Sequence, residues 1–304
     1  MKKAILQLHL AVLLAGFTGV LGRLITLREG PLVWYRMGIT TVAMLLFLLW
    51  KGKLKKISVK EILGIAYVGF LLGIHWLCFY GSIKYANVSI ALVCFSASAF
   101  FAAFLDPLIM KHQFSFQEML LSLIAILGIY IIMHFDKRFT IGIILGLLAA
   151  FFSALFTVLS KRLTKKHDAY TMTLYELGAG FVFVTVLLPF YLAVFPQTVM
   201  TPTALDWIYL LILSIACTVW AFVLAFKSLK KVSSFTTNLT YNLEPVYGIL
   251  LAFLIFHENE HLNKNFYWGF SLIVISVVLQ SLRMLHVRKR IQRKLPAKFK
   301  IPWG

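Results

Sequence analysis

The chain has 304 residues, of which 61% are apolar and 13% charged, and its mean hydropathy is +0.87. Ordinary soluble domains are roughly 45–50% apolar and about 25% charged, so a water-soluble globular fold is excluded and a bilayer is the required solvent. The formal net charge of +19 comes from 30 Lys and Arg against 11 Asp and Glu. These cations gather in short loops between apolar runs, the pattern of cytoplasmic loops rather than of a nucleic-acid partner.

Apolar runs fall at 4–27, 31–50, 61–83, 88–110, 117–134, 139–160, 171–195, 205–227, 233–256 and 266–285. A helical span takes ~20 residues, so these ten runs nearly use up the chain and leave only a basic tail after about Leu285. The first run follows Lys2 and Lys3 as a signal peptide would. It exceeds an h-region of about 7–15 residues and ends without an Ala-x-Ala site, so it reads as a retained span. Cys78, Cys94 and Cys217 lie inside apolar runs, which argues against a disulfide framework. With the N-terminus inside, 23 basic residues fall on the cytoplasmic side and 6 outside, with Arg36 left in a span. That bias puts both termini in the cytoplasm of an integral plasma (inner) membrane protein.

The two halves repeat at an offset of 146: Ser82-Ile83-Lys84 recurs as Ser228-Leu229-Lys230, and Leu108-Ile109-Met110 as Leu254-Ile255-Phe256. Five spans per half is an odd number, so a tandem duplication inverts the second half. The expectation is an all-α integral membrane protein of ten transmembrane helices in two inverted five-helix repeats, 1–136 and 137–286, with a basic cytoplasmic tail at 287–304. Inverted repeats with a site between them near the midplane are the architecture of secondary transporters.

Arg36 follows Trp34-Tyr35 in the second run, and Asn242-Leu243-Glu244-Pro245-Val246-Tyr247 leads to Phe256-His257-Glu258 in the ninth. With ten runs in two halves, these stretches resemble the EamA-type exporters of the drug/metabolite transporter superfamily and their EPV…E ninth-span pattern, over essentially the whole chain. The first half departs from it, with Ala99 and His112 at the offset positions of Pro245 and Glu258. The resemblance implies export or exchange of small metabolites without naming one; the expected function is a secondary transporter exporting small metabolites such as amino acids.

Four charges lie within spans: Arg36, Asp106, Glu176 and Glu244. A charge at mid-bilayer costs ~2.5–3.5 kcal/mol on insertion scales, so a deep one is a functional candidate. Glu244 is deepest and is the expected coupling residue, able to exchange a proton as the cavity opens to either side. Arg36, Asp106 and Glu176 lie near span ends, in reach of headgroups or loop partners, and their roles stay open. Pro107 and Pro245 each remove a backbone donor, which lipid tolerates only beside protein or a watery cavity. Pro107 reads as a kink and Pro245 as a cavity marker.

The third span carries His75, Trp76 and Tyr80, the eighth Trp220, and the ninth Asn238, Tyr241 and Asn242 on the helical face of Pro245. These are the expected substrate-binding residues, orienting a small solute by hydrogen bonds and stacking, with interhelical hydrogen bonding as the structural alternative. His75 reads as a packing histidine or a proton acceptor. Gly69-x3-Gly73 and Gly142-x3-Gly146 fit close helix approach.

One motif suggests an enzyme: His257-Glu258-Asn259-Glu260-His261 has the H-E-x-x-H spacing of a zinc hydrolase. It sits at a span end beside Asn263-Lys264-Asn265 and has no third ligand nearby. No cofactor is expected: no Walker A loop occurs, and the ten runs leave nowhere to put the nucleotide domain of an ATP-driven pump. A lipid or sugar-nucleotide carrier would need cations in the cavity, for which Arg36 is the sole span candidate.

Overall fold

The computed structural model describes residues 2–294 apart from 112, 113, 115, 136, 164, 165, 222, 223 and 225–242. The described elements are all helical: α1 (Lys2–Leu24), α2 (Glu29–Trp50), α3 (Val59–Tyr85), α4 (Val88–Phe95), α5 (Ser98–Met110), α6 (Phe116–Phe135), α7 (Thr140–Leu163), α8 (Ala169–Val194), α9 (Ala204–Leu211) running into a π-helical stretch (Ile212–Trp220), α10 (Glu244–Phe256) and α11 (Lys264–Lys294). Six stretches are long and apolar enough to cross a membrane: Ile5–Leu24, Glu29–Trp50, Val59–Tyr85, Val88–Met110, Thr140–Ser160 and Tyr170–Val194. Met119–Ile132, Ala204–Trp220 and Glu244–Phe256 are shorter apolar helices.

Side-chain periodicity explains which faces turn outward. Along α8, Val182, Val186, Phe190 and Val194 recur every fourth residue and are 62–70% exposed, a stripe that only lipid can cover favourably. Polar starts set the helix ends. The Ser58 hydroxyl and Glu61 form a capping box at α3, Asn87 caps α4 through Ile90 N at 2.8 Å, and Thr203 and Asp206 form a capping box at α9.

The core is built between the two halves of the chain. α3 packs on α7 and α8, α2 on α8 and the π-helical stretch, α1 on α10, and α6 on α11. α2 and α8 run antiparallel, with Gly30 beside Tyr191, Gly38 beside Phe181 and Phe47 beside Tyr170. Small residues permit the closest crossings: a Cβ at Gly269 would collide with the Gly128 carbonyl, and one at Gly69 with the Glu176 carbonyl. Both glycine pairs read from the sequence sit at such crossings, Gly73 against Phe183, Gly142 against Ala86 and Gly146 against Cys94.

Three details of the helices add to the sequence reading. The fourth span is interrupted at Ser96–Ala97, whereas α5 runs through Pro107. There the Val93 carbonyl accepts from both the Ser96 N–H at 3.2 Å and the Ser96 hydroxyl at 2.5 Å. Pro245 does not sit mid-helix in α10: it lies in the first turn, where a missing N–H costs nothing. The last helix also continues to Lys294, past the residue 286 boundary drawn from hydropathy.

Candidate functional site

A cavity of about 180 Å³ lies among α1, α2, α3, α4, α7, the π-helical stretch and α10. It is smaller than the ~300–1,000 Å³ of drug-sized sites. Leu72, His75, Trp76 and Phe79 of α3 form one wall, with Phe95 ending α4 and Ser153 and Phe156 on α7. Arg36 of α2 and Glu244 of α10 bring opposite charges to it.

Arg36 is 5% exposed and is held from three sides. Its guanidinium carbon lies 3.7 Å from the Trp76 ring centroid, a stacking geometry suited to the flat, weakly hydrated fork of arginine. One terminal nitrogen donates to the Tyr80 hydroxyl. Nε and the other terminal nitrogen donate to Thr218 Oγ1 at 3.3 and 3.0 Å. Arginine carries five N–H donors, so two have no partner among the described residues. The π-helical turn makes the two Thr218 bonds possible, because Thr218 sends its own proton back five residues to the Leu213 carbonyl at 2.9 Å, leaving its lone pairs for Arg36.

Glu244 opens α10. Among the described residues no hydrogen bond or ion pair engages its carboxylate, so the two charges share the cavity without neutralising each other by contact. His75 is buried, its Nδ1 lies 2.9 Å from the Ala149 carbonyl, and its ring stacks on Phe95 at 5.4 Å between centroids. A carbonyl only accepts, so Nδ1 carries the proton and Nε2 keeps its lone pair, an arrangement that fits both sequence alternatives.

Of the residues expected from sequence, the structure therefore brings His75, Trp76 and Glu244 to the cavity and sets Tyr80 behind Arg36. Trp220 is not brought there: it is 61% exposed, because the wider π-helical turn puts Cys217 and Ala221 on the cavity side and carries Trp220 outward. Asn238, Tyr241 and Asn242 lie outside the described residues. Arg36, expected to reach a headgroup or a loop, faces the cavity instead. It lies seven residues into α2, ~10 Å from the helix start. Glu176 is likewise buried, at 5% exposure, and Asp106 is partly buried on α5.

The zinc reading fails on geometry. α10 ends at Phe256, and His257 takes a left-handed conformation with φ 52°. The two histidines therefore share no helix face. The Glu258 carboxylate is spent at the start of α4, accepting from Val88 N at 3.0 Å, Ser89 N at 2.8 Å and Ser89 Oγ at 2.6 Å. Arg23 lies 3.8 Å away. Among the described residues, no group of three or more His, Cys, Asp or Glu converges to hold a metal ion.

A bundle with an apolar exterior belongs to the class of integral membrane proteins, and its charged internal cavity can hold a polar solute. The sequence model of the EamA-like transporter family matches residues 2–134 and again 140–282, and the chain belongs to that family. An uncharacterized transporter of Archaeoglobus fulgidus is 25% identical over 241 residues, covering 75% of this chain and 79% of its own length. The uncharacterized transporter YdfC of Bacillus subtilis is 28% identical over 183 residues, 58% of each chain. One crystal structure shares the fold with a TM-score of 0.61 at 15% identity, covering 94% of this chain and 99% of the other.

Proposed function

We propose that the protein is a secondary transporter that exports small zwitterionic metabolites, amino acids above all, by alternating access with proton coupling at Glu244. The observation that carries this reading is the pairing of Arg36 and Glu244 across one small cavity without contact between them. A solute bearing a carboxylate and an ammonium group satisfies both, the carboxylate taking the two remaining N–H donors of Arg36 and the ammonium meeting Glu244. A phosphate-bearing solute would meet the Glu244 charge with nothing to offset it.

The membrane arrangement belongs to the same reading. Ten spans in two inverted halves, with both termini in the cytoplasm of the plasma membrane, are supported by the double match of the family model and by the 23-to-6 distribution of basic residues. In that frame the α2 start at Glu29 faces outward and its end at Trp50 faces the cytoplasm. Interfacial exchange of a proton and a solute at one carboxylate couples their movements, because each binds best when the other has left.

The test is uptake into vesicles reconstituted with the purified protein, using an amino-acid panel under an imposed pH gradient. Glu244→Gln keeps the shape of the side chain and removes its titration. Gradient-driven uptake should vanish while protein yield stays near wild type. Normal gradient-driven uptake by the Gln variant contradicts coupling at this residue.

A further inference from the structure

A second carboxylic acid is buried below the cavity. Glu176 of α8 is 5% exposed, its Oε1 accepts from Ser160 Oγ at 3.1 Å, and no ion pair reaches it among the described residues. Its position is tied to the cavity by one face of α7. Ala149, whose carbonyl holds His75, is followed at spacings of four, three and four by Ser153 and Phe156 of the cavity wall and then by Ser160. These four positions share a helical face, and Ser160 lies one turn, ~6 Å, beyond Phe156 toward the cytoplasmic end.

Among the described residues, no cation pairs with it. α3 presents Gly69 against the Glu176 backbone, and α2 presents Thr41 beside Gly178, its buried hydroxyl without a partner. Two ion pairs of this end lie at loop level, Lys55 with Asp168 at 2.9 Å and His167 with Glu61 at 3.7 Å, and Lys51, Lys53, Lys56, Lys60, Arg162 and Lys166 are exposed. Arg36 and Glu244 face the cavity. A buried carboxylate with a single hydroxyl donor is a costly group unless it takes up a positive ligand. A metal cation demands several oxygen ligands; a proton needs one.

We infer that Glu176 and Ser160 form a second proton-binding site, set between the solute cavity and the cytoplasmic surface, which receives the proton leaving Glu244 and releases it inside. The inference rests on the proton-coupled reading above. The transfer leaves Glu244 as the carboxylate and Glu176 as the acid, through water in the cavity, and Glu176 then returns to the carboxylate by release to the cytoplasm. Two acids in series let the cavity close around an emptied Glu244 before the proton has left the protein.

The experiment uses the full chain in lipid vesicles and two readouts. A hydrophobic carbodiimide attacks carboxyl groups that carry a proton, and peptide mass spectrometry locates the adduct. Wild-type protein should be labelled at Glu176, less so as the buffer is made alkaline, with no effect of sodium at fixed pH; Ser160→Ala should move the pH at which labelling falls. Glu176→Gln should keep solute exchange at equal pH and lose uptake driven by a pH gradient. If that variant does not accumulate, the wild-type labelling decides. Three results overturn the site: no Glu176 adduct at any pH while Glu244 is labelled, protection by sodium, or gradient-driven uptake by Glu176→Gln at the wild-type rate. Wild-type protein that labels at Glu176 with this pH dependence but shows no gradient-driven uptake supports the proton site and contradicts the coupling reading instead.

Discussion

Replacing Arg36 separates a binding residue from a packing residue, and the structure sets the size of each effect. Arg36→Met removes three N–H bonds and the contact with Trp76, and it leaves the Tyr80 hydroxyl without a partner. Thr218 keeps its own bond to Leu213. An orphaned buried hydroxyl costs about 1–3 kcal/mol in mutational series, and hydrogen bonds between membrane helices average ~0.6 kcal/mol. The expected loss of stability is therefore ~0.6–3 kcal/mol. Adding Tyr80→Phe removes the orphan, since replacing both partners of a buried bond by apolar groups is nearly neutral. The double variant should recover most of the loss and still bind the amino acid roughly 10- to 150-fold more weakly than wild type. Thermal unfolding of the purified variants, with and without an amino acid that stabilises the wild type, reads both effects. Wild-type affinity in the double variant refutes the role of Arg36 in binding. Failure to regain stability shows that the guanidinium is a structural strut.

Glu258→Ala leaves two backbone N–H groups at the start of α4 without an acceptor and should lower stability by about 2–4 kcal/mol, while a zinc chelator should leave transport unchanged; loss of activity on chelation contradicts the geometry. Gly269→Val drives a side chain into the Gly128 carbonyl and should cost about 1–3 kcal/mol, read by the same melt. Burial alone would raise the Asp168 pKa, but Lys55 and Thr171 outweigh it and hold the carboxyl at about 2, below its ordinary 3.8. Its stabilising effect is thus fully present above 3.8 and lost as pH falls through about 2: destabilisation by Asp168→Asn should be constant in neutral and mildly acidic buffer and should shrink only in strong acid. Single cysteines at Lys53, Lys165 and Lys230 in a background lacking Cys78, Cys94 and Cys217 should resist impermeant thiol reagents in intact cells, and one at Asn263 should react; labelling at Lys165 contradicts the inverted halves.

Hydropathy made most of the helices legible, because a span must be apolar over its whole length whatever it packs against. It also found Glu244, whose place in an apolar run has few structural explanations. Arg36 was harder to place. Its depth was counted from Pro31, whereas α2 starts at Glu29, a buried residue that accepts from the Tyr191 hydroxyl at 2.7 Å. Its partner Thr218 lies 182 residues away, and a lone threonine in an apolar run carries no signal of its own. In the sequence Trp220 is only an aromatic in the eighth run; its exposure follows from the π-helical stretch over Ile212–Trp220, whose register no sequence pattern announces. The H-E-x-x-H spacing misled because it presumes a helix, and α10 stops one residue before it begins.

The central claim is that Arg36 and Glu244 together recognise a zwitterion. The most direct measurement is the affinity of the purified protein for three matched solutes: an amino acid that it transports, the amine left when its carboxylate is removed, and the acid left when its ammonium group is removed. A hydrogen bond to a charged group is worth about 1.5–3 kcal/mol, or roughly 10- to 150-fold in affinity. Each truncated solute should therefore bind weaker than the amino acid by about that factor, with Arg36→Met abolishing the preference over the amine and Glu244→Gln the preference over the acid. Equal binding of the amino acid and either truncated solute by the wild-type protein contradicts the account.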